Sequence, residues 1–255
     1  MLQVRNLTKC FAAIAAVEDV SFAALPGTVT GYLGPNGSGK STTMKMITGL
    51  MEPTSGSVLF NGIPISHDLQ AFKQRLGYVP EEPHLYTHLT GFEYMDMVAQ
   101  LRGLPERRTR ERIEELLRLL SLAHDRHAPI SAYSKGMRQK VLLGSALLHD
   151  PDLILLDEPF SGLDVGTSLI LRGLIQELAY RGKVVLFSSH ELEIVERLCS
   201  RVVILHHGKV VANDTITAVR ALMAAPSLES VFAQLSADLD SGSVSKAIAD
   251  LVTEQ

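Results

Sequence analysis

The sequence predicts an α/β fold with a mainly parallel sheet, an antiparallel β subdomain and an inserted α-helical subdomain. Short apolar runs alternate with helix-like stretches along much of the chain, which is typical of parallel strands connected by helices. Residues 153–156 are all apolar, as expected for a strand that is covered on both faces. From residue 90 to residue 149 the pattern becomes helical. This interruption indicates the inserted subdomain, with bounds near residues 82 and 149.

Before the inserted subdomain, strands are predicted at residues 2–5, 17–25, 28–33, 57–60 and 76–79. Phe11 lies in the link between the first two, and Pro26-Gly27 forms the turn before the third. Asn61-Gly62 is expected to form a hairpin turn after the fourth. A helix is predicted at residues 41–50, between the third and the fourth strand.

The inserted subdomain contains an amphipathic helix at residues 107–122. Its apolar face is formed by Ile113, Leu116, Leu117 and Leu120. The opposite face carries several arginines interleaved with glutamates. A nucleic-acid patch is one interpretation of the arginines, but the glutamates and the lack of aromatic residues favour a solvated helix face.

After the inserted subdomain, the alternation of strands and helices resumes. Strands are predicted at residues 153–156, 184–187, 202–205 and 210–211, and helices at residues 165–180 and 191–199. Two short helices at residues 216–223 and 228–235 precede a polar tail at residues 236–255. We therefore divide the chain into a domain at residues 1–215 and a C-terminal extension at residues 216–255.

The composition is mildly acidic and poor in cysteine. Among 255 residues, 24 are Lys or Arg and 28 are Asp or Glu, giving a net charge of −4, which argues against general binding to nucleic acid. Cys10 and Cys199 lie far apart, which indicates a reducing compartment and neither a disulfide framework nor a cysteine metal site. The start has no apolar signal-peptide core, and no apolar run approaches the ~20 residues of a membrane span. We expect a cytoplasmic protein that needs another chain to act across a membrane.

Residues 34–42 form the motif around which the chain is organised. They fit G-x-x-x-x-G-K-[ST], the phosphate-binding loop, between a strand-like run and a helix-like run. The glycines let backbone N–H groups turn toward an anion, and the following helix directs the positive end of its dipole at the same phosphates. Lys40 is expected near the β- and γ-phosphates, and the Ser41 hydroxyl is a candidate Mg²⁺ ligand. A glycine-rich turn with a solvated lysine is the alternative. The expected binding residues are Gly34, Pro35, Asn36, Gly37, Ser38, Gly39, Lys40, Ser41 and Thr42.

Two carboxylates follow the apolar run at residues 153–156. Because ligands gather at the carboxyl ends of parallel strands, Asp157 is expected to hold Mg²⁺ opposite Ser41, and Glu158 to polarise the attacking water as general base. His190 ends the next buried run and is expected to reach the γ-phosphate or that water. The alternatives are two solvated carboxylates at a strand end and a structural histidine.

A second helix start suited to phosphate lies at residues 133–139. Ser134 is a favourable N-cap, Gly136 permits close backbone approach, and a long helix is predicted at residues 140–149. Two such helix starts, far apart in sequence, are unusual for one simple nucleotide pocket.

With these motifs in place, the chain resembles the ATPase subunit of an ATP-binding cassette (ABC) transporter over roughly residues 2–235. The resemblance implies a P-loop NTPase core that binds ATP and Mg²⁺. It also implies a head-to-tail dimer, of two copies of this chain or of this chain and a paralogue. In such a dimer, Ser134 and Gly136 of one subunit cap the nucleotide that residues 34–42 of the other subunit hold.

The resemblance also implies roles for single residues. Lys40, Glu158 and His190 correspond to the catalytic lysine, glutamate and histidine of the family. Asp164 corresponds to the loop that meets the opposite subunit at the nucleotide. Phe11 corresponds to the aromatic residue that stacks on adenine, although a core or turn phenylalanine is an alternative interpretation.

Two residues depart from the family pattern. The usual Leu-Ser-Gly-Gly-Gln signature is Tyr133-Ser134-Lys135-Gly136-Met137 here, and the charge of Lys135 would favour a bound triphosphate. Glu81 replaces the usual glutamine after Tyr-x-Pro. Its carboxylate can still bind Mg²⁺ together with Ser41 and Asp157, but when ionised it cannot donate a hydrogen bond.

Both departures look like those of bacterial exporters whose membrane part is a separate chain. We therefore expect an ATP hydrolase on the inner face of the cell membrane that powers export through a separate multi-span permease, with no nucleic-acid partner. An ABC importer is one alternative. A soluble ABC protein acting on DNA or ribosomes usually has two cassettes or a long coiled-coil insertion, which this chain lacks. The presence of Asp157, Glu158 and His190 argues against a regulator that binds ATP without hydrolysing it.

Overall fold

Ten strands and eight α-helices make up the described part of the chain. The structure is a computed structural model and describes residues 1–12, 14–82, 84–222, 227–228 and 230. The strands are β1 (Leu2–Phe11), β2 (Ile14–Ala24), β3 (Val29–Leu33), β4 (Ser55–Phe60), β5 (Ile63–Pro64), β6 (Leu76–Val79), β7 (Leu153–Asp157), β8 (Val184–Ser189), β9 (Arg201–His206) and β10 (Lys209–Thr215). The helices are α1 (Lys40–Ile47), α2 (Leu69–Gln74), α3 (Gly91–Leu101), α4 (Glu106–Leu119), α5 (Lys135–Leu147), α6 (Val165–Tyr180), α7 (Leu192–Leu198) and α8 (Ile216–Leu222).

The main sheet has six strands in the order β10-β9-β3-β8-β7-β6. Pairs from β9 to β6 are parallel, whereas β10 pairs antiparallel with β9. Because β3, β8 and β7 are neighbours, their carboxyl ends meet at one edge of the sheet. Residues 34–42, His190 and the carboxylates at Asp157 and Glu158 are therefore brought to the same place.

The second sheet is antiparallel, in the order β2-β1-β4-β5. Phe60 pairs with Ile63 across Asn61-Gly62, which confirms the predicted hairpin. The first hairpin is longer than expected: Phe11 ends β1, where it pairs with Ile14 of β2, instead of lying in a link. Both faces of this end are exposed or half-exposed, so its sequence carries no apolar alternation, and backbone pairing alone extends the strands.

Three helices between β6 and β7 form the inserted subdomain. Ile113 and Leu117 of α4 are fully buried, with α3 and α5 packed beside them. The last helix, α5, begins at residue 135 and not at residue 140 as predicted. The Ser134 Oγ accepts the Met137 N–H at 3.2 Å, and this cap starts the helix directly after Ser134. With a mainly parallel sheet, an antiparallel sheet and these inserted helices, the predicted α/β fold class is confirmed.

Two apolar cores cover the faces of the main sheet. One lies between the two sheets and contains Met44 and Ile47 of α1. The other lies under α5, α6 and α7 and includes Leu171 of α6 and Val195 of α7. The nearly continuous burial of β7 and β8 follows from this two-sided cover, and it explains their apolar runs.

The C-terminal helix predicted at residues 216–223 corresponds to α8. Apart from residues 228 and 230, the helix predicted at residues 228–235 and the tail at residues 236–255 lie outside the described residues. The division of the chain at residue 215 stays a prediction. Within the described residues, no helix has both the length and the hydropathy needed to cross a membrane.

Candidate active site

The phosphate loop at residues 34–42 leads from β3 into the first turn of α1. Gly39 precedes this helix with a φ of 101°, which glycine adopts without strain. A Cβ at Gly39 would lie 2.5 Å from the Ala16 carbonyl oxygen, so the glycine also lets β2 approach closely. The Lys40 Nζ donates to the Gly34 carbonyl oxygen at 2.7 Å across the loop. The lysine charge and the positive end of the helix dipole thus coincide, which favours a bound anion.

Asp157 and Glu158 are both buried at the carboxyl end of β7. The Ser188 Oγ donates to Asp157 Oδ1 and accepts the Glu158 N–H at 3.0 Å. Glu158 has a φ of 47°, in the left-handed region that residues with a Cβ adopt uncommonly. Its Oε2 lies 2.9 Å from His190 Nδ1. The carboxylate is 8% exposed and the imidazole 60% exposed, so the histidine connects a buried carboxylate to the solvent side.

Burial and specific partners act in opposite directions on the pKa values of Lys40 and Asp157. Burial lowers the pKa of Lys40, and the charge of Glu158 is the strongest of the carboxylate effects that raise it. Burial raises the pKa of Asp157 above its ordinary value, and the hydrogen bond from Ser188 lowers it. The lysine therefore favours the ionised form of Asp157, and the nearby carboxylates favour the charged form of the lysine.

An open cleft of 410 Å³ joins these groups. Its lining residues are Ala16, Asn36, Gly37, Gly39, Lys40, Ser41, Thr42, Glu81, Glu158 and His190. The structure thus brings Glu81, Glu158 and His190 to the phosphate loop, although they are far apart in sequence. Asp157 is 3% exposed and lies beneath this surface.

Phe11 is placed differently from the other predicted residues. It is 48% exposed at the end of β1, and its ring centroid lies 5.5 Å from Lys9 Nζ. Ala16 of β2, and not Phe11, lines the cleft. An exposed ring at this hairpin excludes a core phenylalanine, and its stacking on adenine stays a prediction.

The second predicted phosphate site lies outside the cleft. Gly136 faces Gly162, whose carbonyl oxygen is 3.5 Å from the position of a Gly136 Cβ. The Lys135 Nζ donates to Ser161 Oγ at 3.2 Å. The start of α5, capped by Ser134, and the loop at residues 161–163 therefore form one packed surface.

Asp164 has a structural partner within the chain. Its Oδ1 accepts the Thr167 N–H at 2.9 Å, and its Oδ2 accepts the Thr167 hydroxyl at 2.6 Å. Asp164 is therefore the N-cap of α6, and these hydrogen bonds lower its pKa. A role at a nucleotide stays a prediction for Ser134, Gly136 and Asp164.

The oxygen donors of the cleft fit Mg²⁺. A hydroxyl at Ser41 and carboxylates at Asp157 and Glu81 are hard oxygen ligands, the type that Mg²⁺ binds together with substrate phosphates. Asp157 interacts with the Ser41 side chain, and Glu81 lines the cleft beside Ser41. That these three residues share one cation stays a prediction.

Sequence reasoning missed three residues at this site. Ser188 directly follows the strand predicted at residues 184–187, and the sequence assigns it no role, although a polar side chain at the end of a buried strand was a signal. Ala16 lines the cleft through a strand pairing that the sequence does not show. The Gly208 N–H donates to the Ser38 carbonyl oxygen at 3.1 Å and supports the phosphate loop from the turn between β9 and β10.

Comparison with known proteins identifies the family. Residues 17–161 match the family model described as ABC transporter. An uncharacterised ABC transporter ATP-binding protein of Nostoc, all4389, is 40% identical over 205 residues, which are 80% of this chain and 61% of that protein. The ABC transporter ATP-binding protein NatA of Bacillus subtilis is 39% identical over 204 residues, which are 80% of this chain and 83% of that protein.

Solved structures agree with the sequence matches. An ATP-binding subunit of an ABC transporter superposes with a TM-score of 0.87 at 36% identity, covering 92% of this chain and 99% of that chain. The cassette MJ0796, a dimer bound to ADP and phosphate in a post-hydrolysis state, superposes with a TM-score of 0.78 at 26% identity, covering 84% of this chain and 98% of that chain. This chain belongs to the ABC transporter family, as an ATP-binding subunit with ATP hydrolase activity.

Proposed function

We propose that this chain hydrolyses Mg²⁺-bound ATP to power export through a separate membrane permease. The observation that carries the proposal is the cleft in which the Glu158 carboxylate, paired with His190, faces Lys40 across the phosphate loop. A base, a cation and a helix N-terminus thus surround the place where a γ-phosphate would lie. This is the arrangement that phosphoryl transfer to water requires.

Each residue of the cleft has a defined part in this reaction. Lys40 and the N–H groups of the loop bind and orient the triphosphate, because they are fixed before the nucleotide arrives. Glu158 accepts a hydrogen bond from the attacking water, and His190 holds the carboxylate in place through its Nδ1. Mg²⁺, held by Ser41, Asp157 and Glu81, would neutralise charge on the phosphate oxygens.

We propose that two subunits complete two such sites. The cleft of one chain contains the loop and the carboxylates, whereas Ser134 and Gly136 lie on another surface of the same chain. In a head-to-tail dimer, that surface would cap the nucleotide of the partner, and Lys135 would add positive charge beside the triphosphate. The dimeric state of MJ0796 supports this proposal.

The direction of transport is proposed from the two departures in sequence and from one relative. Lys135 in the signature and Glu81 look like the corresponding residues of exporters with a separate permease. The linearmycin resistance ATP-binding protein LnrL of Bacillus subtilis is 35% identical over 217 residues, which are 85% of this chain and 70% of that protein. Removal of a toxic compound from the cell is a function that would provide resistance. The proposed location is the cytoplasmic face of the membrane.

Affinity purification of the tagged chain from gently solubilised native membranes tests the permease. We expect a multi-span membrane protein in stoichiometric amount. Recovery only from the aqueous fraction, with ribosomes or DNA-repair proteins, would contradict the proposal. Direction is then tested with a compound that the recovered permease transports. Loss of this chain should raise the cellular content of that compound, whereas a fall would identify an importer.

A further inference from the structure

Ser188 touches both carboxylate residues of the site without itself lining the cleft. It is the penultimate residue of β8, in register with Asp157 of β7 and with Tyr32 of β3. Its side chain is 0% exposed. The hydroxyl donates to Asp157 Oδ1 and accepts the Glu158 N–H at 3.0 Å.

We infer that Ser188 is a positioning residue that holds Asp157 and Glu158 in the arrangement needed for Mg²⁺-dependent binding and hydrolysis of ATP. The inference rests on the proposed Mg²⁺ site. A serine hydroxyl has one proton to donate and two lone pairs to accept, so a single group can bridge a carboxylate and an N–H. Alanine, cysteine and valine lack an equivalent hydroxyl.

The two hydrogen bonds act on different parts of the chemistry. The bond to Oδ1 fixes the rotation of the Asp157 carboxylate, so that its other oxygen can be directed toward Ser41 and a cation. The bond from the Glu158 N–H fixes the backbone just where φ is 47°, and it thereby sets the direction of the Glu158 side chain toward His190. The bridge is therefore expected to affect both cation binding and turnover.

The test compares ATP binding with and without Mg²⁺. Dissociation constants are measured by calorimetry for the full chain, once with Mg²⁺ and once with a chelator. In Ser188→Ala, the gain in ATP affinity that Mg²⁺ provides should fall by about tenfold, as for other groups that orient metal ligands. ATP binding in chelator should be unchanged, because Lys40 and the loop remain intact. Turnover at saturating MgATP should fall by about tenfold as well.

Two further variants separate positioning from packing. Ser188→Thr keeps the hydroxyl and should recover most of the Mg²⁺ effect, whereas Ser188→Cys fills the space without an equivalent hydroxyl and should behave like the alanine variant. Ser145→Ala is the matched control. It removes another buried hydroxyl, which donates to the Val141 carbonyl oxygen at 2.8 Å in α5, and it should keep the Mg²⁺ effect.

The results of these measurements distinguish the positioning role of Ser188 from a folding defect and from an error in the proposed cation site. An unchanged Mg²⁺ effect in Ser188→Ala, or equal losses of affinity with and without Mg²⁺, would refute the positioning role. If Ser188→Ala does not fold, failure of Ser188→Thr to exceed Ser188→Cys in the Mg²⁺ effect refutes it. If Mg²⁺ does not affect ATP affinity in the unmodified chain, the proposed cation site itself is wrong, and the inference is wrong with it.

Discussion

The Glu158 carboxylate is buried, in contact with His190 and held on a left-handed backbone. Burial excludes the solvated carboxylate that the sequence left as an alternative, and a buried carboxylate needs a partner such as His190. The role of Glu158 as a base stays a prediction. Removing its basicity while keeping its shape isolates that function.

We expect Glu158→Gln to slow ATP hydrolysis by about 10²–10⁴-fold, the contribution of a positioned base, while ATP binding persists. Steady-state release of phosphate and equilibrium binding of ATP are the measurements. Glu177→Gln is the control, because Glu177 pairs with Arg181 on the exposed face of α6, and its turnover should match the unmodified chain. Normal turnover in Glu158→Gln would remove Glu158 from the mechanism.

The proposed role of Lys40 is in binding the nucleotide. Its Nζ contacts the Gly34 carbonyl oxygen and the residue lines the cleft, so Lys40→Ala removes a positive side chain from the proposed phosphate site. We expect a weaker affinity for ATP by about 10-fold or more, as for other charge-assisted hydrogen bonds to phosphate. Titration with ATP is the measurement.

Lys45→Ala is the matched control for this change. Lys45 lies on the same helix, α1, but is exposed in its last turn. ATP affinity should be retained in this variant. Equal affinities of Lys40→Ala and the unmodified chain would contradict the use of the phosphate loop proposed here.

At the scale of elements, the turn between β9 and β10 supports the phosphate loop. The Gly208 N–H donates to the Ser38 carbonyl oxygen, and the Gly208 carbonyl oxygen accepts the Glu18 N–H at 2.8 Å. One glycine thus connects β2, the loop and the sheet edge. Its φ is 77°, and a Cβ would lie 2.9 Å from the Ala16 carbonyl oxygen.

We expect Gly208→Ala to destabilise the fold by about 1–3 kcal/mol through backbone strain and this clash, and to weaken ATP binding. Gly62→Ala is the control, since Gly62 has a φ of 82° but nothing within 4 Å of a Cβ. Gly62→Ala should lower the free energy of unfolding by only about 1 kcal/mol, because a residue with a Cβ must adopt the left-handed conformation there. Its ATP affinity should be normal. Denaturant unfolding and ATP titration measure both effects. Equal results for the two variants would mean that contact with β2 is unimportant.

At the scale of the whole molecule, each proposed nucleotide site needs two surfaces, namely the cleft and the surface that carries Ser134 and Gly136. A head-to-tail homodimer would place the cleft of one subunit against that surface of the other. A mixture of Lys40→Ala and Gly136→Glu tests this arrangement, because each variant alone has a defect in both sites of its homodimer. A mixed dimer has one site with both defects and one site with neither. Random pairing of equal amounts should therefore restore about a quarter of the unmodified activity.

The activity of the two variants is measured separately and then after mixing. Each alone should be nearly inactive, and the recovered activity per chain should rise with total protein concentration, since it depends on the fraction of chains that are dimeric. Absence of recovery, with both variants folded, would contradict the head-to-tail homodimer. A paralogous partner would then be the remaining arrangement to test.

The sequence alone determined the fold class and predicted most of the residues that line the cleft. The phosphate loop is recognisable because its spacing and its flanking strand and helix are local features. β7 and β8 are recognisable because burial on both faces makes residues 153–156 and 184–187 continuously apolar. Asp157, Glu158 and His190 then follow from their place at strand ends.

Only the tertiary structure decided how these local features meet. The bridge from Ser188 to Asp157 and Glu158, the support of Ser38 by Gly208 and the cleft face of Ala16 all join residues far apart in the chain. The separation of Ser134 and Gly136 from the cleft is likewise a property of the assembled fold. Such contacts depend on strand order and register, which arise from packing of the whole chain. The physical reason is that hydrophobic periodicity specifies which face of an element is buried, but not which neighbour covers it.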